Sequence, residues 1–141
     1  MLPLRELLIL AGVGQLILTA ASFAIPKAMN WSGELAGVKL LIRQMFWNYA
    51  AYILVTNCCF GLLSTFAPDL LLDASPLAAA VSGYIAVYWI ARVAVQFLWF
   101  DRSDMPPGLH VKLAALALEL LFIYLSVVYA LVFAHNVGWA A

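Results

Sequence analysis

Apolar residues dominate four long stretches of the chain, about 4–25, 33–66, 76–100 and 109–134, and polar residues gather in the short connections between them. At 1.5 Å per residue, each stretch can cross or nearly cross a hydrocarbon core of about 30 Å as a helix. The punctuation agrees. Pro26 and Pro68 mark the ends of the first two stretches, and Met105-Pro106-Pro107-Gly108 makes a rigid link into the fourth. Ser75-Pro76 opens the third with an N-cap residue and a proline at the first helical position. The second stretch is longer than a bilayer requires, which assigns its first turns, with Glu34 and Lys39, to the interface. The pattern predicts an all-α polytopic membrane protein, a single transmembrane domain over residues 1–141 built as an antiparallel four-helix bundle.

Composition removes the alternatives. Hydrophobic residues make up 67% of the chain and charged residues 10%, with a mean hydropathy of +1.02. Soluble domains carry about 25% charged residues, and a chain this small has too little interior to hide so much apolar surface. The lipid bilayer is the first partner. Seven Lys/Arg balance seven Asp/Glu, so no net field invites nucleic acid. Cys58 and Cys59 are adjacent in an apolar run and lack C-x-x-C spacing, which makes them structural thiols.

Charge in the connections sets the topology. The first and third connections carry Lys27, Lys39, Arg102 and Lys112, whereas the opposite side has Arg5 and the acidic pair Asp69 and Asp73. The positive-inside rule then places the chain in the inner (plasma) membrane with both termini extracytoplasmic. Trp31 and Trp99 fall at the inner interface and Trp139 at the outer one. The start of the chain has the outline of a signal peptide, but Glu6 and Gln15 favour an uncleaved first helix.

Three ionisable residues lie deep in the apolar stretches: Arg43, Arg92 and Glu119. A charge at the bilayer centre costs roughly 2.5–3.5 kcal/mol on insertion scales, so each needs a partner or a purpose. Counted from the expected helix starts, Arg43 and Glu119 each sit about 15 Å along their helices. Arg92 sits about 14 Å from the end of its own, and Gln15 about 16 Å from Pro26. This counting predicts one polar layer supplied by all four helices. The expected inward stripes are Arg43, Gln44, Trp47, Asn48 and Ala51 on the second helix, continuing to Val55 and Cys58, and Tyr88, Arg92, Gln96 and Trp99 on the third. Glu119 aligns with Lys112 and Ser126 on the fourth. Glu119 is expected within hydrogen-bonding reach of Arg43 or Arg92. Gln15 and Asn57 read as interhelical hydrogen-bonding residues, and Tyr84, Tyr88, Tyr124 and Tyr129 as packing or interface residues.

Chemistry beyond binding finds no motif. His110 and His135 stand about 37 Å apart along one helix, and no H-x-x-x-H, D-x-D or glycine-rich phosphate loop occurs. No catalytic residue, metal or cofactor is expected, and the reading leans away from an enzyme. The layer of Arg43, Gln44, Trp47, Asn48, Tyr88, Arg92, Gln96 and Glu119 instead suits an anionic small molecule or lipid headgroup. The rival role is a scaffold or accessory subunit of a membrane complex. Neither role fixes the oligomeric state.

The segments L-L-I-R-Q-M-F-W-N-Y-A-A-Y (40–52) and Y-W-I-A-R-V-A-V-Q-F (88–97) resemble a group of small uncharacterised bacterial four-helix membrane proteins with an L-x-R-Q-x-F-W opening of helix 2. Ile42 stands where that group has a polar residue. The resemblance implies the bundle fold and brings no activity with it. In length, and in the five-residue spacing of Arg43 and Asn48, the chain also resembles the small glutathione-dependent membrane enzymes of eicosanoid and glutathione metabolism. The acidic residue of that family is missing, since Ala51 and Tyr52 occupy the expected place.

Overall fold

In a computed structural model, which describes residues 3–100 and 107–139, the chain is all-helical, with no strand among the described residues. Four long helices dominate: α1 (Leu4–Ser22), α4 (Leu40–Phe66), α6 (Pro76–Leu98) and α7 (Leu109–Asn136). Each is long and apolar enough to cross a membrane. Three short helices fill the connections: α2 (Ile25–Ala28) and α3 (Trp31–Glu34) between α1 and α4, and α5 (Pro68–Leu71) between α4 and α6. Asp101, Arg102, Met105 and Pro106, placed at the end of the third stretch and in its link to the fourth, lie outside the described residues.

The main correction to the sequence reading concerns α4. It starts at Leu40, not near Gly33, because residues 35–38 make a turn and Lys39 is extended at φ −54°, ψ 143°. The segment with Gly33 and Gly37 pays more backbone entropy as a long helix than as short turns. Asn30 adopts the left-handed conformation at φ 52°, which asparagine tolerates, and so separates α2 from α3. Pro26 sits in the first turn of α2 instead of closing α1, which already ends at Ser22. By contrast Ser75 caps α6 as expected, its side chain accepting from Ala78 N at 3.0 Å ahead of Pro76. α6 stops at Leu98, and α7 continues to Asn136.

α1 packs along α4 and α6 along α7, and the two pairs join where α1 meets α7. Edge-on contacts of Phe60 with Tyr84 and Tyr88 link α4 to α6. The α1–α4 approach depends on glycine. A Cβ on Gly12 would lie 2.7 Å from Thr65 N and 2.9 Å from Gly61 O, so only a glycine lets the two backbones come this close.

One end of the bundle, called here the terminal end, holds Leu4, Phe66, Pro76 and Asn136; the other, the basic end, holds Ser22, Leu40, Leu98 and Leu109. At the terminal end Asn136 ties α7 to the α4–α6 connection. Its amide nitrogen donates to Leu71 O (2.6 Å) and Ser82 Oγ (3.2 Å), and its oxygen accepts from Ala74 N (3.1 Å). His135 Nε2 meets Leu72 O at 3.1 Å beside it. The exposed Arg5–Asp69 pair (2.9 Å) closes this end and, in water, contributes little.

Candidate functional site

Arg92 and Gln96 lie one turn apart on α6, and Glu119 faces them from α7. The three half-buried side chains form a row. Arg92 Nη1 donates to Gln96 Oε1 at 3.0 Å, and Gln96 Nε2 donates to Glu119 Oε1 at 3.4 Å. The expected direct contact between Glu119 and Arg92 is therefore absent. An amide stands between them, and among the described residues no carboxylate oxygen comes within 4.0 Å of an Arg92 nitrogen. The guanidinium also lies 4.8 Å from the centre of the Phe122 ring and 4.9 Å from that of Phe100, both within cation–π range. Phe100 is placed by the turn that closes α6, in which the Trp99 and Phe100 N–H groups both donate to Val95 O.

Nearer the terminal end lies a second polar group, fully enclosed. Gln15 of α1, Ser64 of α4, Trp89 of α6 and Tyr129 of α7 are each buried to within 1%. Gln15 Nε2 donates to Tyr129 Oη at 2.6 Å, Trp89 Nε1 donates to Gln15 Oε1 at 3.1 Å, and the Ser64 and Tyr129 hydroxyls are hydrogen-bonded to each other. Each long helix contributes one member. Gln15 thus has the interhelical role expected of it, while Ser64, Trp89 and Tyr129 were not singled out as its partners. A hydroxyl or indole on an apolar body reads the same in a core as at an interface, so the sequence held no signal beyond helical phase. Phe122 connects the two groups, stacking on Trp89 at 5.4 Å and facing Arg92. Tyr88, beside Trp89, donates to Asn57 Oδ1 at 2.8 Å and sets the register of α4 against α6.

The α4 residues expected in the same layer lie elsewhere. Arg43 is three residues from the start of α4, about 4.5 Å along it, and not 15 Å deep. The Asn57–Tyr88 bond puts Arg92 level with about Ile53 on the antiparallel α4, and Arg43 is ten residues beyond, about 15 Å away. Facing is wrong as well. The buried residues of α4 are Asn57, Phe60, Gly61 and Ser64, so Gln44, Asn48, Ala51 and Val55 point away from the core and are exposed. Trp47 joins Trp31 and Phe46 in an edge-to-face cluster at the basic end, with centroids 5.0–5.9 Å apart. Trp99 is exposed too. The candidate site contracts to Tyr88, Arg92, Gln96 and Glu119. A shallow depression lined by Phe23, Pro26, Lys27, Asn30 and Ser32 belongs to the α1–α4 connection and includes none of them.

No protein-family model, curated protein or solved structure matches the chain.

Proposed function

We propose that this is a multi-pass inner-membrane protein that binds the anionic head of an amphiphile, a small molecule or a lipid, beside Arg92. The observation that carries the reading is the state of the Arg92 guanidinium. It is half-buried in a helix long enough to span a bilayer, and it has five N–H donors. Gln96 takes one, two aromatic rings cover its faces, and no carboxylate oxygen of the described residues lies within 4.0 Å of it. A positive charge at such depth is costly without a counter-ion, and an anionic head entering from the lipid supplies one. Gln96 and Glu119 hold the arginine in place, and Tyr88 borders it. Catalysis is not part of the proposal, and Arg43 and Asn48 do not share the glutathione-type site that their spacing suggested, because Asn48 faces outward.

The proposed orientation has both termini extracytoplasmic, with Lys27, Lys39 and Lys112 at the cytoplasmic end against Arg5 at the other. The site then lies in the cytoplasmic half of the bundle. Native mass spectrometry of the purified protein, released from detergent in the gas phase, tests the reading. An anionic adduct on the parent that is lost in Arg92→Gln, with monodispersity and thermal midpoint retained, supports it. An adduct-free parent together with a misassembled Arg92→Gln supports the scaffold role instead.

A further inference from the structure

We infer that the anion at Arg92 is carried on an alkyl chain from the membrane through the gap between α4 and α6, and that its head is a carboxylate or phosphate holding the guanidinium by two oxygens at once. Resting on the reading of Arg92 as an anion site, this adds the form of the head and its route. The form follows from what is already occupied. Nη1 donates to Gln96 Oε1, and the Phe100 and Phe122 rings lie over the group at 4.9 and 4.8 Å. With its faces covered, the guanidinium meets a ligand at its rim. Nε and Nη2 share one edge and donate to no described residue. Two parallel N–H groups on a planar edge match two oxygens held on one atom. A carboxylate or phosphate fills that fork, and a lone hydroxyl or halide does not. A lysine would offer the same charge without the edge.

The route is set by how α4 and α6 meet. Asn57 bonds Tyr88, and Phe60 packs on Tyr84 and Tyr88, all on the terminal-end side of Arg92. One turn beyond these bridges, Ile53 follows Asn57 on the same side of α4, and Arg92 follows Tyr88 on the same side of α6. Helices still in contact there would cover Ile53. It is 54% exposed, and Ala91, seven residues on from Tyr84 and so on the gap side of α6, is exposed too. α4 follows α1 and α6 follows α7, so the two pairs part at this level. The gap has an apolar rim of Ile53, Ala91 and the half-buried Val95, and the stem of Arg92 leaves α6 at its inner edge, just past the Tyr88–Asn57 bond. An apolar approach to a single cation suits a chain with an anionic head. A free ion would have to give up its water to cross the same rim.

The purified full chain in a neutral detergent is titrated with dodecanoate, dodecyl phosphate, dodecanol and inorganic phosphate, and binding is read by native mass spectrometry. Dodecanoate or dodecyl phosphate should bind, and the tighter of the two names the head. Dodecanol and inorganic phosphate should not bind. Arg92→Lys, with its thermal midpoint retained, should weaken binding about tenfold or more, the loss of one charge-assisted hydrogen bond. Ile53→Trp fills the gap and should weaken binding as well. Val55→Trp, equally exposed but about 160° round α4, should leave it unchanged. A parent that binds neither charged probe would overturn the anion site itself. Binding lost in Arg92→Gln but kept in Arg92→Lys would leave that site standing and overturn the two-oxygen fork. Binding unchanged by Ile53→Trp, or equally strong for inorganic phosphate, would overturn the route from the membrane.

Discussion

Gly12→Ala is the sharpest test of how the bundle is held together. The added Cβ would sit 2.7 Å from Thr65 N and 2.9 Å from Gly61 O, against an ordinary contact of at least 3.4 Å. It would also strike the Thr65 hydroxyl. A side chain can rotate away, but the two backbone atoms cannot, and the shortfall is about 0.7 Å and 0.5 Å. Either α1 lifts off α4 over the contact or both helices distort. Overpacking of this kind typically costs about 1–3 kcal/mol, and lifting α1 would also disturb the bonds of Gln15 one turn away. Gly61→Ala should cost less. Its Cβ meets the flexible Leu16 side chain at 3.0 Å and a single backbone atom, Gly12 O, at 3.1 Å. Gly37→Ala, with nothing within 4 Å, should be neutral or slightly stabilising. Reversible denaturation in mixed micelles, followed by tryptophan fluorescence, should rank the three in that order. A Gly12→Ala protein as stable as Gly37→Ala would refute the close approach of α1 and α4.

Tyr129→Phe removes the acceptor of Gln15 and the partner of Ser64, and should cost about 0.6–1.7 kcal/mol, the range for interhelical hydrogen bonds in membranes, in the same denaturation assay. Ala74 is held left-handed at φ 61°, so Ala74→Gly should stabilise by about 1 kcal/mol, read as a raised thermal midpoint. The hydroxyl and backbone N–H of Ser75 hold the Asp73 carboxyl below its ordinary value of 3.8. A depressed folded value gives stability that is present above the unfolded one and lost as pH falls through the folded one. The midpoint difference between parent and Asp73→Ala should therefore shrink below about pH 4, the ordinary carboxylate range. A C-terminal alkaline phosphatase fusion should be active and a C-terminal fluorescent-protein fusion dark, and the reverse would overturn the proposed orientation.

The four long helices were legible because hydropathy over twenty or so residues reports a property of the whole segment, insensitive to where each helix begins. Depth and facing are more fragile. Placing the start of the second helix at Gly33 instead of Leu40 displaces Arg43 by seven residues, about 10 Å, and counting Arg92 back from position 101 instead of Leu98 adds three residues, about 4.5 Å; together these created its apparent level with Arg92. Phase failed for a different reason. Gln44 and Asn48 were turned inward on the premise that polar groups avoid lipid, yet the inward side of α4 is set by the Gly12–Gly61 approach and by Asn57 and Ser64. On α6 and α7 the same premise did better, because Tyr88, Arg92, Gln96 and Glu119 lie at the margin of the buried face, close enough for long side chains to reach one another.

That contrast separates two uses of polarity within one bundle. Toward the terminal end, Gln15, Ser64, Trp89, Tyr129 and Asn136 are enclosed and hydrogen-bonded to protein, the arrangement that fixes helix register without calling for anything from outside. Toward the basic end the enclosure ends and the polar groups are only half-buried or exposed. Among the described residues Arg92 donates to Gln96 alone, and Asn48 faces outward from a helix whose first seventeen residues include none that is buried. Part of the cause is length. α1 has 19 residues against 27 in α4, so α1 covers the terminal end of α4 and stops short, leaving α2, α3 and the aromatic cluster around Trp31 beside the remainder. Rigid packing at one end thus fixes Trp89 and Phe122, and through Phe122 the place of Arg92, while the half-buried row of Arg92, Gln96 and Glu119 lies beyond the enclosed part.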